Sequence, residues 1–125
     1  MKPIQNLKLR FLLLASKAML RRAERKSQRF RQMLQDQPFV LQILSRDGAA
    51  GYYELADGHL QLHLGKHSRP TFSQTWATSK DAVRVMMSRD EADLMRALED
   101  GQCELDGSFR VAMWFNEAMK IARSV

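Results

Sequence analysis

The segment from Gly101 to Gly107 constrains the fold more than any other part of this 125-residue chain. It reads Gly-Gln-Cys-Glu-Leu-Asp-Gly, and its apolar and polar side chains alternate with the two-residue period of a half-buried strand. Residues 90–100 before it and 108–124 after it instead carry apolar side chains at helical spacing. Glycine tolerates the positive φ angles needed where a chain leaves one helix and turns into the next. The pattern therefore predicts a helix, a short strand and a second helix.

Four further strands are predicted in the middle of the chain, ahead of this unit. Asp57-Gly58 is the strongest signal, because this dipeptide is typical of the two-residue turn of a hairpin. After it, leucines alternate with histidines and a glutamine, which predicts one apolar and one polar strand face. The predicted strands are 39–45, 51–56, 59–64 and 71–78, and a helix is predicted over 80–87.

The predicted order of elements is a helical region, four strands, two helices, a short strand and a helix. Runs of strands followed by runs of helices are typical of the α+β class. We therefore expect an α+β domain with a mostly antiparallel sheet.

The first 37 residues differ from the rest in charge. They hold ten Lys and Arg against two acidic residues, a balance of +8, whereas the other 88 residues hold ten against twelve, a balance of −2. Apolar residues recur at helical spacing, with Leu7, Phe11, Leu14 and Ala18 on one face. We predict one long helix or two shorter ones over 3–35.

We divide the chain into a basic amphipathic helical arm, residues 1–37, and a domain, residues 38–125. Three roles are open for the arm: a solvated helix packed on the domain, a helix on an anionic membrane or a partner (a second copy included), or a nucleic-acid-binding arm. Nucleic acid is disfavoured because the arm has only two aromatic residues for stacking on bases. Its candidate membrane- or partner-binding cations are Lys8, Arg10, Lys17, Arg21, Arg22, Arg25, Lys26 and Arg29.

The apolar run in the arm is too short for a targeting or membrane segment. Phe11 to Ala15 gives five residues, fewer than the ~7–15 of a signal peptide and the ~18–20 of a membrane span. The chain has a single cysteine, which fits a reducing compartment. We expect a cytoplasmic protein.

Three histidines at intervals of four residues raise the question of a metal site. On a strand, four residues span about 13 Å, too far for two imidazoles to hold one ion. Solvent-facing side chains are therefore favoured for His59, His63 and His67. The single Cys103 has no base close to it in sequence and is predicted to be a buried small hydrophobe.

No pattern typical of catalysis is present. The acidic residues Asp90, Glu91 and Asp93 fall in the first turn of a predicted helix, where the helix dipole favours negative charge. The sequence has no nucleophile elbow and no phosphate-binding glycine loop. We expect a binding module rather than an enzyme, with no cofactor and no metal.

Five of the eight methionines fall in the predicted C-terminal helices, beside several aromatic residues. Flexible thioethers adapt to variable ligands, but they also fill irregular cores. A ligand pocket and an ordinary core both remain open on this pattern.

The order of these elements resembles the sterol carrier protein 2 domain family. The resemblance covers roughly residues 38–123, and several short motifs carry it. They are the strand-rich stretch 40–64 with its Asp47-Gly48 and Asp57-Gly58 turns, the polar strand that ends in Trp76, the acidic helix 91–95 that runs to Gly101, and the Gly101–Gly107 segment with its closing helix.

The resemblance implies a five-stranded sheet covered by helices, with a tunnel for fatty acyl chains, sterols or other lipids. Members of the family usually have no catalysis of their own, although some are domains of larger enzymes and some bacterial relatives assist quinone biosynthesis. This chain departs from the family in its Gly107-Ser108 pair, where Gly-Asp or Gly-Asn is common, and in its longer, more basic N-terminal arm.

The leading hypothesis is therefore a non-catalytic carrier of a fatty acyl, sterol-like or isoprenoid lipid. The competing hypothesis is an interaction protein with a solid core, whose basic helix docks an acidic partner or its own copy. The residues expected to line the lipid cavity are Leu60, Leu62, Phe72, Trp76, Met86, Met95, Leu98, Trp114, Phe115 and Met119.

Overall fold

The computed structural model describes residues 2–88 and 90–125 of the chain. The elements follow one another in the predicted order. No described helix combines the length and the apolar character that a membrane span requires. The elements are α1 Lys2–Lys26, α2 Gln28–Met33, β1 Phe39–Ser45, β2 Ala50–Ala56, β3 His59–Leu64, β4 Phe72–Trp76, α3 Ser79–Met86, α4 Ala92–Glu99, β5 Cys103–Gly107 and α5 Phe109–Ser124.

The N-terminal region forms two helices rather than one. Ser27 has the extended backbone of an N-cap, and its side chain accepts a hydrogen bond from the Phe30 amide at 3.1 Å. Arg31 donates to the carbonyls of Glu24 and Arg25 at 2.8 and 3.1 Å, which satisfies two carbonyls at the end of α1. The chain therefore breaks at Ser27, and the prediction of two shorter helices is the correct alternative.

The five strands have the order β3-β2-β1-β4-β5, and the sheet is mixed. Three pairings are antiparallel, but the central one, between β1 and β4, is parallel, with Leu41 opposite Phe72. The prediction of a mostly antiparallel sheet is corrected on this point. Side-chain periodicity reports which face of a strand is buried and says nothing of a neighbouring strand's direction.

Residues 65–71 connect β3 to β4 and place β4 in the same direction as β1. The His67 amide donates to the buried Gln42 side chain at 2.7 Å. The Thr71 amide donates to the Val40 carbonyl at 2.8 Å. In return, the Val40 amide donates to the Thr71 hydroxyl at 3.0 Å. These bonds fasten the connection to β1 in the middle of the sheet.

The β2–β3 hairpin sets which side chains face the helices. Asp57 and Gly58 have positive φ angles of 53° and 77°, as a two-residue type I′ turn requires. Beyond the turn, Leu62 pairs with the buried Tyr53 on the side of the sheet that the helices cover. The predicted split of β3 into a leucine face and a polar face is confirmed.

One hydrophobic core lies between the sheet and the helices, and α1 contributes to it directly. Leu9 and Leu13 are at most 1% exposed and belong to the same core as the strands. Gly51 allows α1 to lie this close, because a Cβ at that position would lie 2.8 Å from Leu13 Cδ1. The arm thus shares its core with residues 38–125, and its functional separation from them stays a prediction.

The apolar face recognised in the sequence of α1 is its outer one. Leu7, Phe11 and Leu14 are 62%, 74% and 46% exposed, and Ala18 is exposed as well. A second apolar stripe, which includes Leu13, faces the core and is interrupted by the buried Ser16. The helix therefore carries one apolar stripe toward the core and another toward solvent.

A buried polar cluster joins the start of α1 to the start of α3. The Ser79 hydroxyl lies 2.7 Å from Asn6 Oδ1, 2.9 Å from Asp47 Oδ1 and 2.8 Å from the Ser45 hydroxyl. The Asp47 carboxylate also accepts the Ser79 amide at 3.1 Å from each oxygen. Asp47 thereby satisfies an amide at the first turn of α3.

Candidate functional site

The sheet side of the predicted cavity falls on the helix-facing side of the sheet. Phe72 and Trp76 are 4% and 1% exposed and lie deep in the core. Leu60 and Leu62 are only partly buried, on the edge strand β3, which α1 contacts. Sequence reasoning placed α3–α5 over these strands and missed that α1 covers this half of the sheet.

The aromatic residues of α5 take two different positions. Trp114 packs edge-on against Phe39, with ring centroids 4.9 Å apart, and donates from Nε1 to the Met33 carbonyl at 3.0 Å. Phe115 instead packs against Tyr53 over the middle of the sheet, at 5.4 Å. Trp114 therefore holds α2 and β1 together, whereas Phe115 lies in the layer between the sheet and the helices.

The remaining predicted residues of α3–α5 divide into two groups. Met86, Leu98 and Met119 are partly buried against the core. Met95 is 57% exposed, because the next residues that α4 turns toward the core are Ala97 and Leu98. The structure does not bring Met95 together with the other nine.

Side chains fill the layer between the sheet and the helices. Two hollows in the described part of the chain are open surface grooves of about 710 and about 360 Å³. Of the ten residues predicted to line a cavity, only Leu60 lines either groove. A ligand in this layer would therefore have to displace side chains that are now in contact.

One polar pair lies inside this layer. The Tyr53 hydroxyl forms a hydrogen bond with the Ser16 hydroxyl and donates to the Leu13 carbonyl at 3.3 Å. Burial raises the pKa of Tyr53 to about 12, although the hydrogen bond with Ser16 acts in the opposite direction. The phenol is therefore neutral at ordinary pH and serves to dock α1 on β2.

The larger groove is basic. Arg21, Glu24 and Arg25 of α1 line it together with Arg31 of α2 and residues 59–61 of β3. It lies along the free edge of the sheet, since β3 is the outermost strand. Three guanidinium groups and one carboxylate give this groove a net positive charge.

Ion pairing differs between the predicted cations of α1 and the one on α2. Within residues 2–88 and 90–125, none of the seven from Lys8 to Lys26 forms an ion pair. Arg29, the eighth, pairs with Glu117 at 3.3 Å and so links α2 to α5. The surface of α1 therefore keeps its positive charge unneutralised.

Two of the three histidines, His63 and His67, pack on an aromatic ring at the polar side of the sheet. His63 stacks on the Tyr52 ring with the ring centroids 4.9 Å apart, and His67 packs edge-on against the same ring at a centroid distance of 5.0 Å. His63 Nε2 also lies 3.5 Å from Glu54 Oε1. These contacts hold the 65–71 connection against the sheet, and the described residues contain no cluster of three or more potential metal ligands.

Cys103 is a buried residue of β5, as predicted. Its side chain is 2% exposed and belongs to the core. Burial, with a smaller contribution from Glu104, raises the pKa of the Cys103 thiol to about 12. The thiol therefore stays protonated and unreactive.

This chain is similar to known proteins in its structure but matches none of them by sequence. No family model matches the chain, and no curated protein matches it. Solved structures do match. A crystal structure of sterol carrier protein 2 superposes with a TM-score of 0.53 over 86% of this chain and 93% of its own, at 21% identity.

Two other matches have the same fold. A ubiquinone synthesis protein, UbiJ-SCP2, superposes with a TM-score of 0.54 over 74% of this chain and 76% of its own, at 15% identity. The inverting sec-alkylsulfatase Pisa1 from Pseudomonas sp. matches over 69% of this chain but only 14% of the enzyme, with a TM-score of 0.50 and 15% identity. From these likenesses and the sheet described above, this chain has the fold of sterol carrier protein 2.

Proposed function

We propose that this protein is a cytoplasmic, non-catalytic carrier of a fatty acyl, sterol-like or isoprenoid lipid. The observation that carries the proposal is the fold, shared over most of its length with sterol carrier protein 2. Ligand hydrocarbon would leave water for the layer between the sheet and the helices, at about 25 cal/mol per Å² before the costs of association.

Methionines make this layer adaptable. Met86 and Met119 are partly buried and pack against the core, as Leu98 and Phe115 do. An unbranched thioether changes rotamer at little cost, so these side chains can move aside for an acyl chain. The layer is therefore filled without a ligand and opens when one enters.

Native mass spectrometry of the purified protein, with organic extraction, tests the proposal directly. A stoichiometric lipid or quinone that travels with the protein is the expected result. A clean mass, together with unchanged tryptophan fluorescence when a fatty acid or a quinone analogue is added, would contradict it.

A pair of double variants tests where the ligand binds. Met86→Ile/Met119→Ile keeps side-chain volume but stiffens the layer, and we expect fatty acid affinity to fall roughly tenfold with little loss of stability. Met95→Ile/Met113→Ile is the control, because these methionines are 57% and 65% exposed. Equal affinity losses in the two variants would remove Met86 and Met119 from the site.

We propose further that the outer stripe of α1 lies on an anionic membrane. Phe11 and its apolar neighbours are exposed between cations that no acidic side chain neutralises in the described part of the chain. Each Lys or Arg near such a surface contributes about 1 kcal/mol. The surface would then hold the protein where lipid is collected or delivered.

Vesicle flotation tests this contact with a matched pair of variants. Phe11→Ser should reduce binding to phosphatidylglycerol vesicles, whereas Phe109→Ser should not, because Phe109 of α5 is 73% exposed but lies on another helix. The wild type should not bind neutral phosphatidylcholine vesicles. Equal binding by the wild type and Phe11→Ser would refute the proposed role of the stripe.

The filled layer also favours a second candidate, an interaction protein with a solid core. In that case α1 would dock an acidic partner or a second copy through the same surface. Native mass spectrometry separates the candidates, because this one requires a lipid-free protein that is oligomeric or bound to its partner.

A further inference from the structure

The basic groove beside β3 is large enough to hold part of a small ligand. Its volume of about 710 Å³ lies within the roughly 300–1,000 Å³ of ordinary ligand sites. Three arginines, Arg21, Arg25 and Arg31, and one carboxylate residue, Glu24, line the groove, so its lining has a net charge of +2.

The arginines are placed to receive an anion. Arg21 and Arg25 lie one helical turn apart, where like charges repel each other, and neither forms an ion pair in the described part of the chain. Arg31, which also lines the groove, donates from Nη1 to two carbonyl oxygens at 2.8 and 3.1 Å, and these bonds hold its guanidinium at the end of α1. A phosphate would relieve the repulsion and accept paired hydrogen bonds from guanidinium forks.

The free edge of β3 adds a backbone donor. The Gly65 amide donates to the Ala50 carbonyl at 2.9 Å, so the amides at every second residue of β3 also point toward β2. Leu60, one of the residues that line the groove, lies an odd number of positions from Gly65. Its amide therefore points away from β2, toward the free edge of the sheet. Its side chain is partly buried against the core. Leu60 therefore connects the polar groove to the apolar layer.

From this geometry we infer that the groove binds the phosphate head group of the carried amphiphile, whose hydrocarbon chain passes Leu60 into the layer beneath α1. The inference rests on the proposed carrier function and adds the chemical class of the head group. A phosphate monoester carries a charge of about −1.5 to −2 at neutral pH, which the groove's net charge of +2 matches more closely than a single carboxylate would. The arginines would thus select the ligand and orient it at the entrance.

Calorimetric titration with three probes tests the inference: dodecyl phosphate below its micelle concentration, dodecanol, and inorganic phosphate. The wild type should bind dodecyl phosphate more tightly than either of the others. Arg21→Gln/Arg25→Gln should weaken dodecyl phosphate binding at least about tenfold, because charge-assisted hydrogen bonds are lost, and should leave dodecanol binding unchanged. Arg22→Gln/Lys26→Gln is the matched control, with the same loss of charge and the same spacing outside the groove.

The possible failures are distinguishable. Equal losses in the two double variants, or equal wild-type affinity for dodecyl phosphate and dodecanol, would overturn the head-group inference and leave the carrier function standing. Equal affinity for dodecyl phosphate and inorganic phosphate would overturn it in favour of a free-phosphate site. If neither dodecyl compound binds, the carrier function fails together with the inference.

Discussion

Asp47 shows how one side chain can join distant parts of the chain. Its carboxylate accepts a hydrogen bond from the Ser79 amide and lies within hydrogen-bonding distance of the Ser79 hydroxyl. The same hydroxyl contacts the Asn6 side chain on α1. Burial raises the pKa of the Asp47 carboxyl, but hydrogen bonds from Ser45 and Ser79 outweigh it and hold the pKa below its ordinary value of 3.8. The folded protein therefore favours the ionised form.

This shift predicts an acid-dependent contribution to stability. Because the folded pKa is the lower one, the contribution is complete above the unfolded pKa and is lost as pH falls through the folded pKa. Asp47→Asn should therefore unfold at lower denaturant concentration than the wild type at about pH 6, with a smaller difference at about pH 3. Asp106→Asn is the control, because this exposed carboxylate forms no ion pair among the described residues. The same pH dependence in both variants would contradict the assignment.

Gly107 illustrates a second requirement at the scale of one residue. It has a φ of 112°, and a Cβ there would lie 2.3 Å from the Thr71 carbonyl oxygen. Gly101 also has a positive φ, 74°, but a Cβ there would meet nothing within 4 Å. A side chain at Gly101 would therefore meet backbone strain alone, whereas one at Gly107 would meet both backbone strain and a steric clash.

Denaturant unfolding of two alanine variants measures the difference. Gly101→Ala should cost about 1–2 kcal/mol for the positive φ alone. Gly107→Ala should cost about 1–3 kcal/mol more, because β4 and β5 must also move apart. Equal costs would mean that the strands accommodate the methyl group.

At the scale of elements, α1 is unusual in having an apolar stripe on each side. The adjacent residues Leu13 and Leu14 lie on opposite stripes, at 1% and 46% exposure. Leu13→Ala should destabilise the protein by about 2–5 kcal/mol, since it leaves a cavity between α1 and the sheet. Leu14→Ala should change stability by no more than about 0.5 kcal/mol. A small effect of Leu13→Ala would mean that α1 is not part of the folded core.

Sequence reasoning predicted the elements whose signals are local. The Asp57-Gly58 turn and the Gly101–Gly107 strand depend on backbone angles that few residues adopt, so their positions follow from residue type. The parallel pairing of β1 with β4 and the burial of Leu9 depend on contacts between distant residues, which no local period encodes. The outward position of Met95 depends on a rotation of α4 that a short, broadly apolar helix leaves open.

At the scale of the whole molecule, the shared core predicts one cooperative unfolding transition. Leu9 and Leu13 of α1 contact the core of the sheet, and Phe30 of α2 packs 6.2 Å from Trp114 of α5. Far-ultraviolet circular dichroism and tryptophan fluorescence should therefore give the same denaturant midpoint. An earlier loss of helix signal would show that α1 unfolds separately from residues 38–125.

The central parallel pairing also bears on the order in which the chain folds. The β1–β2–β3 meander closes through short turns, but Val40 meets Thr71 only after a separation of 31 residues. Closing the longer loop costs more conformational entropy before any contact forms. We therefore expect the meander to form early and β4 and β5 to join it late. A refolding rate reduced by hairpin variants but not by Gly107→Ala would show this order, since late contacts mainly control the rate of unfolding.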